Sequence, residues 1–227
     1  MKAALLLFTC SGFIGTFMMA AEPLPGGWGT PDDPERGATF TPDGKDLVAE
    51  LLPKALDFHV NAKTNAPRVL AEVEGDFVME VTVHPIPRPA GSHYTGSGLP
   101  WCSAGLVAMI DENNYVRLDR GGMPHGKAAT EHQLVFDFAE GGSMKEGHMM
   151  RETAWEPEKP VRFRFECRGA RLHAALSHDG EMWQPLYPKN IWRWPARIRV
   201  GVLALNTSTR PATMRFSDFK LTPRNTP

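Results

Sequence analysis

The segment Val161-Arg162-Phe163-Arg164-Phe165-Glu166-Cys167-Arg168 alternates apolar and charged side chains without a break. Successive side chains on a β-strand point to opposite faces, so this run presents one face to a core and the other to water. Phe77-Val78-Met79-Glu80-Val81-Thr82-Val83-His84 repeats the pattern, apolar at every odd position. Arg68–Val73, Leu172–Leu176, Ile198–Leu205 and Met214–Leu221 read as further strands. Helical periodicity is confined to a short candidate over Lys45–Leu56, which Pro53 limits.

Turn chemistry separates these runs. Glu74-Gly75-Asp76 predicts a hairpin between Arg68–Val73 and Phe77–His84. Asp111-Glu112-Asn113-Asn114 divides Gly105–Ile110 from Tyr115–Arg120, and Asp179-Gly180 follows the His173 strand. Many short strands with no βαβ spacing imply an all-β chain folded as a two-sheet antiparallel sandwich. Pro85–Pro100, Gly121–Glu131 and Ala139–Pro160 read as irregular, apart from a strand at Gln133–Phe138. Long loops on a β scaffold are where binding surfaces usually sit.

Lys2 precedes an uncharged run from Ala3 to Ala21, and Glu22-Pro23 follows at once. This is the pattern of a signal peptide over residues 1–21, ahead of one domain over 22–227 and a secreted or periplasmic location. A retained anchor or lipidation at Cys10 is disfavoured by Thr9, Ser11, Gly12 and Gly15 and by the lack of a small residue before the cysteine. Formal net charge is −1, and −2 once Lys2 leaves, which argues against nucleic-acid binding. Cys102 and Cys167 remain after the leader. They are either a disulfide closing about 65 residues, worth roughly 4 kcal/mol, or two buried thiols.

Asn65-Ala66-Pro67-Arg68-Val69-Leu70 followed by Val73-Glu74-Gly75-Asp76-Phe77 resembles the "NAPRxL…VEGDF" block of the DUF1349 family. Further similar blocks follow in order: Asn114-Tyr115-Val116-Arg117-Leu118, Ser177-His178-Asp179-Gly180 with Trp183, and Phe216-Ser217-Asp218-Phe219. The resemblance spans residues 28 to 222 and implies a concanavalin A-like jelly-roll sandwich, an architecture widely used for glycan binding. It carries over no catalytic residue.

A glycan platform needs aromatic planes for sugar C–H faces, with polar side chains beside them. Trp101, Tyr115, Arg117, Trp192 and Trp194 are the candidate ligand-binding residues, with Tyr115, Arg117 and Asp119 on one strand face. The expected function is an exported module binding carbohydrate or a cell-surface polymer, with no cofactor or metal. A hydrolase or lyase, and an envelope protein-interaction module, are the alternatives. For a hydrolase the nearest carboxylate set is Glu74, Asp76 and Glu80, which a polar turn and a solvated strand also explain. Asp32-Asp33 with Glu35 and Asp111–Asn114 offer oxygen ligands for calcium but also suit ordinary turns.

Overall fold

The computed structural model describes residues 21–94, 98–125, 129–150, 157–169, 171–191 and 195–224. Residues 1–20, where the signal peptide is expected, together with Trp192 and Trp194, lie outside the described residues. In chain order the strands are β1 (Thr30–Asp32), β2 (Ala38–Asp43), β3 (Asp46–Leu51), β4 (Arg68–Glu74) and β5 (Asp76–Val83). After the Pro85–Pro100 connection come β6 (Cys102–Asp111), β7 (Asn114–His125), β8 (Ala129–Glu140) and β9 (Ser143–Met150). The chain finishes with β10 (Val161–Arg168), β11 (Arg171–Ser177), β12 (Gln184–Ile191), β13 (Arg197–Asn206) and β14 (Ala212–Arg224).

These strands form two seven-stranded antiparallel sheets, ordered β1-β4-β13-β6-β7-β8-β9 and β12-β11-β10-β5-β14-β3-β2. The alternating runs build the layer between them. Val161, Phe163, Phe165 and Cys167 of β10 are buried, and Phe163 pairs across with Val81 of β5 and Leu176 of β11. Each such phenylalanine removed from water contributes roughly 1.5–3 kcal/mol. Arg162 and Arg164 point the other way and bracket Glu80 of β5.

The first sheet departs from simple alternation because it is covered on both faces. Leu106, Ala108, Val116 and Leu118 face the second sheet, while Val107, Met109, Tyr115, Leu203 and Leu205 form a separate cluster on the outer face. Phe58 and Ala66, from the connection between β3 and β4, fill that outer cluster. Continuous apolar stretches in β6 and β13 are the consequence.

Three expectations need correction, and one open question is answered. Glu74-Gly75-Asp76 is not a hairpin, since β4 and β5 belong to different sheets; Gly75, at φ 75°, turns the chain from one to the other and its N–H donates to Ala196 O at 2.8 Å. The helix candidate over Lys45–Leu56 holds β3 instead, because Leu47, Ala49 and Leu51 are buried at every second position. Much of Gly121–Glu131 and Ala139–Pro160 is strand: β7 pairs with β8 as far as His125–Ala129, and Gly141-Gly142 turns β8 into β9. The cysteines, left open above, form no disulfide with each other, and both are buried. Burial pushes the Cys102 thiol up to about 12.

Candidate functional site

The outer face of the first sheet is only half filled by the β3–β4 connection. Beside it lies a cavity of about 370 Å³, within the size range of small-molecule sites. Its floor comes from β7 and β8, where Arg117 and Asp137 are register partners. Arg117 Nε and Nη2 both donate to Asp137 Oδ2, at 2.8 and 2.6 Å. Desolvation opposes charge on Arg117, but Asp119 and Asp137 outweigh it and hold the guanidinium firmly ionised.

Trp101 forms one wall. Its backbone N–H donates to Thr207 Oγ1 at 2.8 Å, and its carbonyl accepts from Thr207 N at 2.8 Å, which anchors it to the chain after β13. The indole lies against bare backbone: a Cβ on Gly121 would come within 2.0 Å of Trp101 Cζ2. Gly121 is therefore the space that the ring occupies.

The opposite wall is built by the connection. Tyr115 is fully buried, stacks at a tilt on Phe58 with ring centroids 4.7 Å apart, and accepts a hydrogen bond from Val60 N at 3.0 Å. Its hydroxyl stands 3.4 Å from Phe58 O, and burial pushes its pKa up to about 12. That contact fixes the segment carrying Asp57 and His59, which both line the cavity. Asp57 Oδ1 accepts from Phe58 N at 2.7 Å, and Oδ2 accepts from Tyr94 OH at 2.5 Å. Burial raises the Tyr94 pKa further than does the carboxylate beside it. His59 Nδ1 accepts from Asn61 N at 3.2 Å, so the neutral ring keeps its hydrogen on Nε2.

Below this lining sits a buried polar cluster. Ser103 Oγ, both Asp119 oxygens, Gln133 Oε1 and Arg117 Nη1 are buried without closing a hydrogen bond. Arg117 Nε is 3.5 Å from Asp119 Oδ2, and the Ser103 hydroxyl stands near enough to favour the carboxylate. Desolvation dominates nonetheless and lifts the Asp119 pKa to about 6. Orphaned buried polar atoms cost about 1–3 kcal/mol each, and of these residues only Arg117 lines the cavity.

Of the residues expected from the sequence, Trp101 and Arg117 line the cavity together. Tyr115 cannot present a face to a sugar, because the connection covers it; it supports the wall instead. Asp57, His59, Tyr94, Asp137 and Thr207 were not anticipated. Only Asp137 had a visible signal, since Gln133, Val135 and Asp137 alternate with Leu134, Phe136 and Phe138 on β8.

Other candidates resolve into architecture. Glu74 sits in one sheet and Asp76 and Glu80 in the other, so they form no carboxylate set. Asp32 pairs with Arg68, Asp33 accepts from Gly37 N and Ala38 N, and Asp111 Oδ1 closes its own turn on Asn113 N. Among the described residues, no group of three or more His, Cys, Asp or Glu is placed to hold a metal. Asp179 Oδ1 accepts from Glu181 N and Met182 N, both at 2.8 Å, as an Asx-type turn does. The Asn206 sequon is buried, its Nδ2 donating to Leu52 O and Arg210 O.

No family model matches the chain, and no curated protein matches it in sequence. Solved structures do resemble it in shape. A functionally unknown protein from Saccharomyces cerevisiae superposes with a TM-score of 0.68 at 14% identity, covering 88% of this chain and 99% of that one. What these structures share with the chain is the two-sheet antiparallel β-sandwich fold. The alginate lyase from Klebsiella pneumoniae aligns with a TM-score of 0.52 at 14% identity over 82% of this chain and 84% of its own. A GH43 protein from Bacillus licheniformis gives 0.54 at 13% identity, with 84% of this chain covering 40% of that one. At such identities the likeness establishes fold alone.

Proposed function

We propose that the chain is a carbohydrate-binding sandwich that takes its ligand on the outer face of the first sheet. One observation carries this: Trp101, laid against Gly121, lines one cavity together with the Arg117–Asp137 pair. An indole plane gives sugar C–H faces a surface to stack on, and adjacent fixed polar groups give hydroxyls their partners. Polysaccharide-active proteins among the structures of similar shape support the reading without assigning a ligand. The leader-like segment supports secretion or a periplasmic location, and the sequence blocks described above support membership of the DUF1349 family.

A hydrolase or lyase is the second reading, favoured by Asp57 and Asp137 lining one cavity. Both are already engaged, Asp57 by Tyr94 and Phe58 and Asp137 by Arg117, which suits holding better than proton transfer. The test is a glycan array with the chain from residue 22 onward, followed by titration calorimetry on the best ligand. Binding abolished by Trp101→Ala, with the ligand recovered intact, is the expected result. Binding unaffected by Trp101→Ala would remove the site, and release of new reducing or unsaturated ends would favour the enzyme.

A further inference from the structure

We infer that the cavity selects glycans offering hydroxyl or ammonium hydrogens and rejects those carrying carboxylate or sulfate. The inference rests on the carbohydrate-binding reading above and adds the ligand's charge class.

The charge balance of the lining is the first observation. Asp57 and Asp137 line the cavity, and the buried Asp119 stands 3.5 Å from the Arg117 guanidinium of its floor. Against them, among the described residues of the lining, stand the Arg117 guanidinium and the His59 ring. An anion entering here meets more carboxylate than cation, in surroundings where water screens poorly.

The second observation is how Arg117 is spent. Capture of an anionic sugar would depend on this guanidinium, which lies on the floor at 5% exposure. Its Nε and Nη2 are both committed to Asp137 Oδ2, and Nη1, which closes no hydrogen bond, has no accessible surface toward a ligand. A uronate would have to displace Asp137 and leave that carboxylate buried without its cation, a costly exchange. Arg117 is therefore a support for Asp137 rather than a ligand clamp.

What the lining does offer points to donors on the ligand. Both Arg117 bonds end on Asp137 Oδ2, which leaves Oδ1 toward Gly147, where an added Cβ would stand 3.3 Å away. Glycine at this place on β9 keeps the approach to that oxygen open. A carboxylate oxygen accepts and never donates when ionised, so its partner has to bring hydrogens. Sugar hydroxyls and protonated amines do so; carboxylates and sulfates do not.

The opposite side of the molecule has the reverse character. Arg162 and Arg164 flank Glu80, Arg168 and Arg224 flank Glu166, and Arg164 stacks 3.7 Å above the Trp183 ring. Anionic polymers could adhere there, so binding to the cavity has to be separated from binding to that face.

The experiment titrates the chain with three six-unit oligosaccharides at pH 7: cello-oligomer, chitosan-derived oligomer and oligogalacturonate. Each is repeated with Trp101→Ala, and only affinity lost in the variant is credited to the cavity. The expected order is amine-bearing first and neutral second, with uronate at least about tenfold weaker than the amine. Salt at about 0.5 M should narrow the gap by screening it. Uronate affinity equal to or above the neutral oligomer, and lost with Trp101→Ala, would overturn the inference while leaving carbohydrate binding intact. Silence from all three would remove the carbohydrate-binding reading, and the inference with it.

Discussion

Arg117 Nη2 stands 2.6 Å from Asp137 Oδ2, and the two residues are direct register partners on neighbouring strands of a sheet that is buried on both sides. Neither side chain is more than 6% exposed, so water can replace little of what each partner supplies. Removing one partner leaves an uncompensated buried charge, which typically costs about 3–5 kcal/mol. Asp137→Ala is therefore expected to lower the urea midpoint strongly, and Asp137→Asn, which keeps an oxygen acceptor for Arg117, to lower it less. A midpoint for Asp137→Ala within error of the parent would contradict the buried pairing.

Asp119 makes stability depend on pH. Its folded-state pKa of about 6 lies above the ordinary 3.8, so the folded chain holds the proton more tightly than the unfolded chain does. Below the ordinary value both states are protonated and the group is neutral in effect. As pH rises through the interval up to about 6, the fold loses stability, and the penalty is fully present above it. Asp119→Asn removes the ionisation and should stabilise by roughly 3 kcal/mol at pH 8 with no gain at pH 3.5. Melting curves of parent and variant at the two pH values check this, and an equal difference at both would refute it.

Tyr115 holds the wall rather than the ligand. Tyr115→Phe keeps the contact with Phe58 but loses the hydroxyl that meets Val60 N and Phe58 O. The expected cost is about 0.5–1.5 kcal/mol in denaturant melts. Glycan affinity should fall with it, because Asp57 and His59 sit on the released segment. Affinity unchanged alongside lost stability would separate the wall from the site.

The sandwich was legible wherever one strand face meets water, as in β10, because burial then writes itself into alternate positions. It was obscured where both faces are covered. In β7 the alternation of Tyr115, Arg117 and Asp119 with Val116 and Leu118 looks like polar against apolar, yet all five are buried. Reading that polar row as solvated placed Tyr115 on the surface, and no local signal shows that a distant connection will lie across it. Gly75 misled for a related reason: a tight turn looks the same whether the next strand pairs alongside or leaves for the other sheet. Asp57, His59 and Tyr94 come from segments without periodicity, and only folding brings them to Arg117.

Cys102 and Cys167 lie on strands of different sheets and are not bridged to each other. Reductant should leave the melting temperature unchanged. A thiol-reactive dye should label neither residue in the native chain and both after denaturation, since burial keeps the Cys102 thiol protonated at neutral pH. A reductant-sensitive melting temperature would show that a bridge had formed.

Gly121→Ala tests the site from beneath without touching any group that would meet a ligand. The new methyl would stand 2.0 Å from Trp101 Cζ2, well inside contact distance, so the indole has to leave the sheet. Gly121 is not among the positive-φ glycines, so alanine meets no backbone penalty there, and the strand pairing with Ser103 and Gln133 can persist. The fold should survive, with the variant's far-ultraviolet dichroism matching the parent's. Tryptophan emission should shift as the ring moves toward water, and glycan affinity should fall about as far as in Trp101→Ala. Parent-like affinity with a displaced ring would mean that stacking on Trp101 plays no part in binding.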